Sequence, residues 1–271
     1  MTTQETPTRV ITVGIGGATS SGKTILAKHL QNCLHNSYII HQDDFVPPAE
    51  KLPIDEEYGF TDWDNPPGAI DWDRMAAFLS GLKQTGNVPA DHQSFDNYNN
   101  TTPVPIEDQA IEEWRRKSER IASDHLEKYG EKLVWALIDG FLLYWDEART
   151  TISSAVCLKS WLIMLKRIVS DLDMRVFLRV PEDVARKRRE ARAYYTPEGD
   201  TWHDPPHYWE KIVWPAYIRA HQHMFEGEDV VNGSPNGKVK DLILFESTET
   251  KMEDMVNVVM QRALSFNVNA K

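Results

Sequence analysis

The chemistry in this sequence begins with a glycine-rich segment that matches the phosphate-loop pattern G-x-x-x-x-G-K-[ST]. Its members are Gly17, Ala18, Thr19, Ser20, Ser21, Gly22, Lys23 and Thr24. Glycines let the backbone curl so that several N–H groups point at one anion, while Lys23 can reach the β and γ phosphates and the Thr24 hydroxyl can ligate Mg²⁺. The pattern predicts a site for ATP or GTP, but it does not specify a reaction.

The segments on either side of this loop support the assignment. An apolar run at 10–15 precedes the loop, and a helix-like stretch at 24–34 follows it. The alternative is a glycine-rich turn without a ligand. The order strand, loop, helix favours the phosphate loop.

Acidic residues follow two other apolar runs. Asp43 and Asp44 come after 38–41, and Asp139 comes after 133–138. These acids could simply be turn or cap residues, which aspartate favours at chain reversals. Alternatively, one of the paired carboxylates accepts the proton of an attacking hydroxyl while a neighbour helps to hold a metal, and Asp139 is a Walker-B-like acid for Mg²⁺.

A strongly basic helix is expected from Glu182, after the apolar run at 174–180. Its cations are Arg186, Lys187, Arg188, Arg189 and Arg192, and Tyr194 and Tyr195 follow them. Such a run is often a solvated helix face. In a chain with a net charge of −11, its position also suits a lid that focuses positive potential on triphosphate charge.

Trp63 lies in a long irregular segment, 45–69, between Asp62 and Asp64. A connection of this length is more often functional than a simple connector. An exposed aromatic ring flanked by carboxylates suits a flat heterocycle attached to a polyol, although a tryptophan that anchors the loop fits the sequence equally well.

The elements that must position these residues are apolar, β-branched runs alternating with helix-like patterns. They lie at 10–15, 38–41, 133–138, 174–180 and 242–245, with a weaker candidate strand at 229–231. Strands that alternate with helices predict a three-layer α/β/α fold with a central parallel sheet, in which ligands bind at the carboxyl ends of the strands.

We expect a single domain over 1–271, with a surface insertion at about 86–132 and a lid at about 182–206. The first part of the insertion, 86–105, is rich in Asn, Thr and Pro and lacks apolar periodicity. Such composition is typical of an irregular surface segment, and we expect it to have no catalytic role.

Charge and cysteine content limit the possible partners. A net charge of −11 argues against nucleic acid, whose binders usually present a basic face. Cys33 and Cys157 are far apart and form no C-x-x-C pair, so neither a disulfide framework nor a thiolate zinc site is indicated. No protein partner is indicated.

We expect the protein to be cytoplasmic, with passive entry into the nucleus as an open alternative. Residues 1–9 are polar and lack the apolar core of a signal peptide. The most apolar stretch, 155–169, is interrupted by three cations and is too short to span a bilayer, so no membrane association is expected.

Taken together, these segments resemble the ribosylnicotinamide (nicotinamide riboside) kinases of the fungal type, within the uridine kinase-like group of phosphate-loop kinases. The resemblance runs from about Val10 to Phe225, with its main interruption at 86–132. The matching segments are 17–24, 41–45, 62–64, 139–141, 187–194 and 204–208. The resemblance implies the P-loop nucleoside triphosphate hydrolase fold of nucleoside and nucleotide kinases, with a lid helix.

The resemblance also implies a reaction: ATP- and Mg²⁺-dependent phosphorylation of the 5′-hydroxyl of nicotinamide riboside to nicotinamide mononucleotide, for NAD synthesis. It implies that Asp43 is the base and that Asp64 and Arg189 hold the ribose hydroxyls. Trp63 and Tyr194 would enclose the pyridinium ring, where a cationic ring over tryptophan is favourable.

Further roles follow from the same resemblance. Arg188 and Arg192 would lie near the phosphates, Asp44 would line the substrate site, and Thr24 and Asp139 would hold the metal. Asp139 stands where other members carry Glu.

Two alternatives remain open at this point. A uridine or cytidine kinase would share the phosphate loop and the ribose-binding acid, but it needs side chains that hydrogen-bond the edge of the base. A slow nucleotide-binding switch would not need a second, ribose-like pocket, and the sequence contains no Asn-Lys-x-Asp guanine-reading motif.

Overall fold

The computed structural model describes residues 6–94, 96, 102–146, 168–191 and 203–266, together with the backbone of 194–195 and 201–202. The main strands are β1 (Thr8–Gly17), β2 (Ser37–His41), β3 (Lys132–Gly140), β4 (Met174–Arg179), β5 (Tyr194–Tyr195), β6 (Thr201–Trp202) and β7 (Leu242–Glu246). The α-helices are α1 (Lys23–Cys33), α2 (Pro66–Ala69), α3 (Trp72–Thr85), α4 (Asp108–Tyr129), α5 (Glu182–Glu190), α6 (Trp214–His221) and α7 (Met252–Leu264).

Five of the strands form one parallel sheet in the order β2-β3-β1-β4-β7. Because all five run in the same direction, their carboxyl ends meet at one edge. This arrangement confirms the expected three-layer α/β/α fold. It also brings the phosphate loop after β1 next to the acids that follow β2 and β3.

The two faces of the sheet are buried by different sets of helices. Alternate residues of β1 separate the faces: Ile11, Val13 and Ile15 pack in a cluster with residues of α1 and α7, whereas Val10 belongs to the cluster that contains α3 and α6 residues. Both clusters are fully buried at their centres, as expected for a parallel sheet covered on both sides.

One predicted strand is wrong. Residues 229–231 form a turn, because the Asp229 carboxylate accepts hydrogen bonds from the N–H groups of Val231 and Asn232 at 3.0 and 2.9 Å. Aspartate commonly closes turns in this way, and the local apolar pair does not outweigh it.

Within the expected insertion at 86–132, α4 packs beside α1 and α7, while His92, Ser94 and Asp96 reach the carboxyl edge of the sheet. In the region expected to form a lid, the described elements are α5 and the antiparallel pair β5–β6, which pairs residue 194 with residue 202. Its role as a lid stays a prediction. Among the described helices, none combines the length and apolar character that crossing a bilayer requires.

Candidate active site

The phosphate loop connects β1 to α1 through two glycines with positive φ. Gly17 has a φ of 141°, and a Cβ there would lie 2.2 Å from the Leu178 carbonyl oxygen. Gly22 has a φ of 101° and immediately precedes the first turn of α1. Side chains at these positions would strain the backbone, so the glycines are what allow the loop to turn toward the helix N-terminus.

Lys23 is the first residue of α1 and is buried. Its ammonium group donates a hydrogen bond to the Ala18 carbonyl oxygen at 2.8 Å, which holds the cation across the loop. Arg188 of α5 donates to the Ser20 carbonyl oxygen at 3.2 Å. Two cations from distant parts of the chain thus meet at the phosphate loop.

Asp139 lies at the end of β3, beside both α1 and β2. It accepts a hydrogen bond from the Thr24 hydroxyl at 2.5 Å, and His41 Nδ1 lies 3.3 Å from the same oxygen. Burial alone would raise the pKa of Asp139, but the His41 hydrogen bond and the charge of Lys23 outweigh it and lower the pKa. Its other oxygen, Oδ1, is buried and has no hydrogen-bond partner among the described residues.

The paired acids after β2 occupy different environments. Asp43 is exposed at the turn, but protein atoms crowd around its carboxyl group, and this desolvation raises its pKa to about 6, together with the charge of Asp139 and against the opposing charge of Lys23. Asp44 is buried, and its carboxylate contacts His92 and Ser94, not the open cleft. The geometry therefore favours Asp43 as the acid that meets a substrate.

A second cluster of charged side chains contains Arg189, Asp64 and Asp204. Arg189 of α5 lies 3.4 Å from Asp64 and forms two hydrogen bonds with Asp204, at 2.6 and 3.0 Å. The Tyr208 hydroxyl lies 3.3 Å from Asp64 and accepts the Trp63 N–H at 3.0 Å. The structure thus brings together Asp64 and Arg189, which the sequence analysis assigned to the ribose hydroxyls.

A pocket separates this cluster from the phosphate loop. It is lined by Ala18, Thr19, Asp64, Phe141, Leu142, Trp209, Val213, Trp214 and Tyr217. Trp209 and Trp214 stack with ring centroids 5.8 Å apart and an interplanar angle of 23°. An apolar, aromatic pocket with one acid and an adjacent anion-binding loop can hold a nucleoside with its hydroxyl toward the phosphates.

The proposed ring-binding pair is placed only in part. Trp63 is half-buried and packs against the core, and it does not line the described pocket. The side chains of Tyr194 and Arg192 lie outside the described residues. Their assigned contacts with the ring and the phosphates therefore stay predictions.

Several residues at the site were given no role by the sequence analysis. His41 was part of a matching motif, and its place beside Asp139 follows from the pairing of β2 with β3. Trp209 and Trp214 were not singled out by the sequence analysis, yet they line the pocket. Asp204 and Tyr208 belong to a motif whose residues were assigned no function, and no local pattern links them to Arg189 and Asp64.

A phosphate loop that faces an acid-containing pocket across the end of a parallel sheet defines a phosphate-loop small-molecule kinase. One half can hold the triphosphate while the other holds the acceptor, and catalysis then depends on positioning and charge.

Within that class, the chain belongs to the nicotinamide riboside kinase family. The nicotinamide riboside kinase of Eremothecium gossypii is 30% identical over 218 residues, which cover 80% of this chain and 78% of that protein. The enzyme of Schizosaccharomyces pombe is 29% identical over 97% of this chain and 98% of its own length. That of Saccharomyces cerevisiae is 29% identical over 83% of each chain. No family model matches the chain.

Proposed function

We propose that this protein transfers the γ-phosphoryl group of ATP to the 5′-hydroxyl of nicotinamide riboside and so forms nicotinamide mononucleotide for NAD synthesis. The observation that carries the proposal is the placement of Asp43. It is exposed directly after β2 and lies within reach of the charges of Lys23 and Asp139, at the edge of the sheet that carries the phosphate loop. Family membership supports the choice of nicotinamide riboside as acceptor.

The phosphate loop would bind the triphosphate, and the pocket that contains Asp64 would bind the nucleoside. Lys23, the loop N–H groups and Arg188 neutralise the triphosphate, which is the larger part of catalysis in phosphoryl transfer. Asp43 accepts the proton of the 5′-hydroxyl as the hydroxyl oxygen bonds to the γ-phosphorus, while the bond between the γ-phosphorus and the β–γ bridging oxygen breaks and ADP leaves. With a pKa of about 6, this carboxylate is mostly ionised at neutral pH and is therefore able to take the proton.

The residues present fit a magnesium ion. Asp139 Oδ1 is buried without a hydrogen-bond partner in the described part of the chain, and the Thr24 hydroxyl lies against the same carboxylate. Magnesium prefers oxygen ligands and usually takes only one or two from the protein, with phosphates and water completing its shell. Thr24 and Asp139 would hold it, and the ion would neutralise charge on the β and γ phosphates.

The nucleoside would enter the pocket between the loop and the lid. Asp64 can accept hydrogen bonds from two ribose hydroxyls, while Arg189 donates to them, and Asp204 keeps the guanidinium in place. The pyridinium ring would then lie among aromatic side chains, with Trp63 and Tyr194 as its two faces. A cationic ring gains from such surroundings more than a neutral pyrimidine does.

The proposal is tested by a phosphate-transfer screen with radiolabelled ATP or GTP and four acceptors: nicotinamide riboside, nicotinic acid riboside, uridine and cytidine. We expect the highest kcat/KM with nicotinamide riboside and ATP, a requirement for Mg²⁺ that EDTA reveals, and the loss of transfer in Asp43→Asn. A uridine or cytidine kinase would instead prefer the pyrimidine nucleosides. Nucleotide hydrolysis without transfer to any acceptor would favour a switch.

We also propose that the protein acts in the cytoplasm. The support is the nature of the proposed reaction, whose substrates are small and diffusible. A fluorescent fusion to the carboxyl end of the full chain tests this. Fluorescence confined to a membrane-bounded organelle would contradict it.

A further inference from the structure

The turn at Gln42–Phe45 carries two acids whose side chains differ in exposure and in neighbours. Asp43 is exposed, whereas Asp44 is 2% exposed. Its carboxylate lies against the segment that follows α3: His92 Nε2 is 3.3 Å from Oδ2, and the Ser94 hydroxyl donates to Oδ1 at 3.2 Å. A buried carboxylate is costly unless polar groups surround it, so these contacts support the conformation of the turn.

His92 is largely buried and packs against two aromatic rings. Only 15% of its side chain is exposed. Its ring stacks on Phe45 at a centroid distance of 6.0 Å and an angle of 23°, and it lies 4.6 Å from the Phe78 ring of α3. Since Phe45 follows Asp44 directly and is itself buried, the histidine contacts the turn through both its ring and its nitrogen.

The rest of the turn is anchored on other sides. The Gln42 side chain accepts the Leu142 N–H at 2.8 Å, which ties the turn to the chain after β3. Arg74 of α3 donates to the Asp44 carbonyl oxygen at 2.8 Å. Asp43 lies between these anchored neighbours, so a displacement of Asp44 would carry Asp43 with it.

We propose that His92 and Ser94 are positioning residues, which hold Asp44 and thereby orient the Asp43 carboxylate toward the acceptor hydroxyl. The inference rests on the proposed function, because it takes Asp43 as the base. It assigns the segment after α3 a part in the reaction, which its composition did not indicate. The segment would act on the rate of transfer more than on the binding of ATP.

The test measures kcat for nicotinamide riboside in two backgrounds, the natural chain and Asp43→Asn. The variants are His92→Ala, His92→Gln, Ser94→Ala and, as a control on an exposed neighbour, Asp91→Asn. In the natural background, His92→Ala should lower kcat about 10- to 100-fold, since small displacements of a reacting group have effects of this size. The KM for ATP should change by less than about twofold, because ground-state binding is untouched.

The conservative variants extend the expectation. His92→Gln keeps a polar side chain beside Asp44 and should recover part of the loss, Ser94→Ala should cost less than His92→Ala, and Asp91→Asn should leave kcat unchanged. In the Asp43→Asn background, the effect of His92→Ala should shrink to about twofold or less, because residues that act through one group are not additive.

Equal losses in the two backgrounds, or an unchanged kcat in His92→Ala, would overturn the inference. Thermal unfolding of each variant shows whether it is folded. If His92→Ala does not fold, Ser94→Ala in the two backgrounds decides in the same way. Failure of the natural chain to phosphorylate nicotinamide riboside would instead refute the proposed function, so the two failures are distinguishable.

Discussion

Asp139 on the phosphate side and Asp64 on the nucleoside side are both buried, with 5% and 6% of their surfaces exposed, yet their pKa values move in opposite directions. At Asp139 the hydrogen bond from His41 and the charge of Lys23 exceed the effect of burial and lower the pKa. At Asp64, burial raises the pKa by more than the charge of Arg189 lowers it, and the negative charge of Asp204 raises it further.

The difference shows how the two halves suit their ligands. The phosphate side places the cations of Lys23 and His41 around the Asp139 carboxylate, which suits a triphosphate and a metal ion. On the nucleoside side, Arg189 is shared between two acids, so its charge is largely balanced. A balanced pair can exchange its contacts for those of neutral ribose hydroxyls without leaving a buried charge alone.

The largest effect is expected from removing the cation of the phosphate side. Lys23→Ala should lower turnover by roughly two to four orders of magnitude, since it removes charge stabilisation from the transferring group. Steady-state kinetics on the folded variant check this, with Lys51→Ala, a change in an exposed cation, as the control. Turnover close to normal in Lys23→Ala would exclude this lysine from the reaction.

Next in size is the effect of the base. Asp43→Asn is nearly isosteric and should cut kcat by about a hundredfold or more, with little change in the affinity for ATP. Asp44→Asn should cost less, because that carboxylate faces His92 and Ser94. A larger loss in Asp44→Asn than in Asp43→Asn would show that the roles of the two acids are reversed.

The raised pKa of Asp43 also predicts a pH dependence. Below its pKa of about 6 the carboxylate binds a proton and can no longer accept one from the hydroxyl. Values of kcat/KM should therefore level off above pH 6 and fall about tenfold per pH unit below it. The acid limb should vanish in Asp43→Asn, and a limb that persists there would belong to another group.

On the nucleoside side, Asp64→Ala should reduce kcat/KM for nicotinamide riboside by about 2–4 kcal/mol, because hydroxyl groups lose a charged acceptor in a closed pocket. Arg189 keeps its contact with Asp204, so the variant should remain folded. The exposed acid Asp73 supplies the matched control, Asp73→Ala. Equal losses of ATP and nucleoside affinity would contradict a role specific to the ribose.

The smallest effect is expected from removing the aromatic side chain proposed to contact the pyridinium ring of the substrate. Trp63→Ala should cost about 1–3 kcal/mol in kcat/KM for nicotinamide riboside, the range for losing one aromatic face, and Trp63→Tyr should restore most of it. Any residual uridine activity should suffer less, since a neutral ring gains less from the aromatic face. Equal losses for both nucleosides would show that Trp63 only anchors the loop.

The phosphate side was the more predictable half because its residues follow strands. The loop, Asp43 and Asp139 each come directly after an apolar run, and parallel pairing brings such positions together. The contacts of Arg189 with Asp204 and of Asp44 with His92 join segments that share no local pattern. Only tertiary packing specifies them, which is why the role of residues 92–94 was missed.

Tyr144 joins the strands beneath the phosphate loop. Its hydroxyl lies 2.9 Å from the Gly14 carbonyl oxygen and accepts the Val176 N–H at 3.0 Å, and its ring takes the space that a Cβ on Gly16 would need, at 2.4 Å. A larger residue at position 16 is compatible only with a smaller one at 144, which gives up the hydroxyl bridge between β1 and β4. Positions 16 and 144 are therefore expected to change together during evolution or not at all.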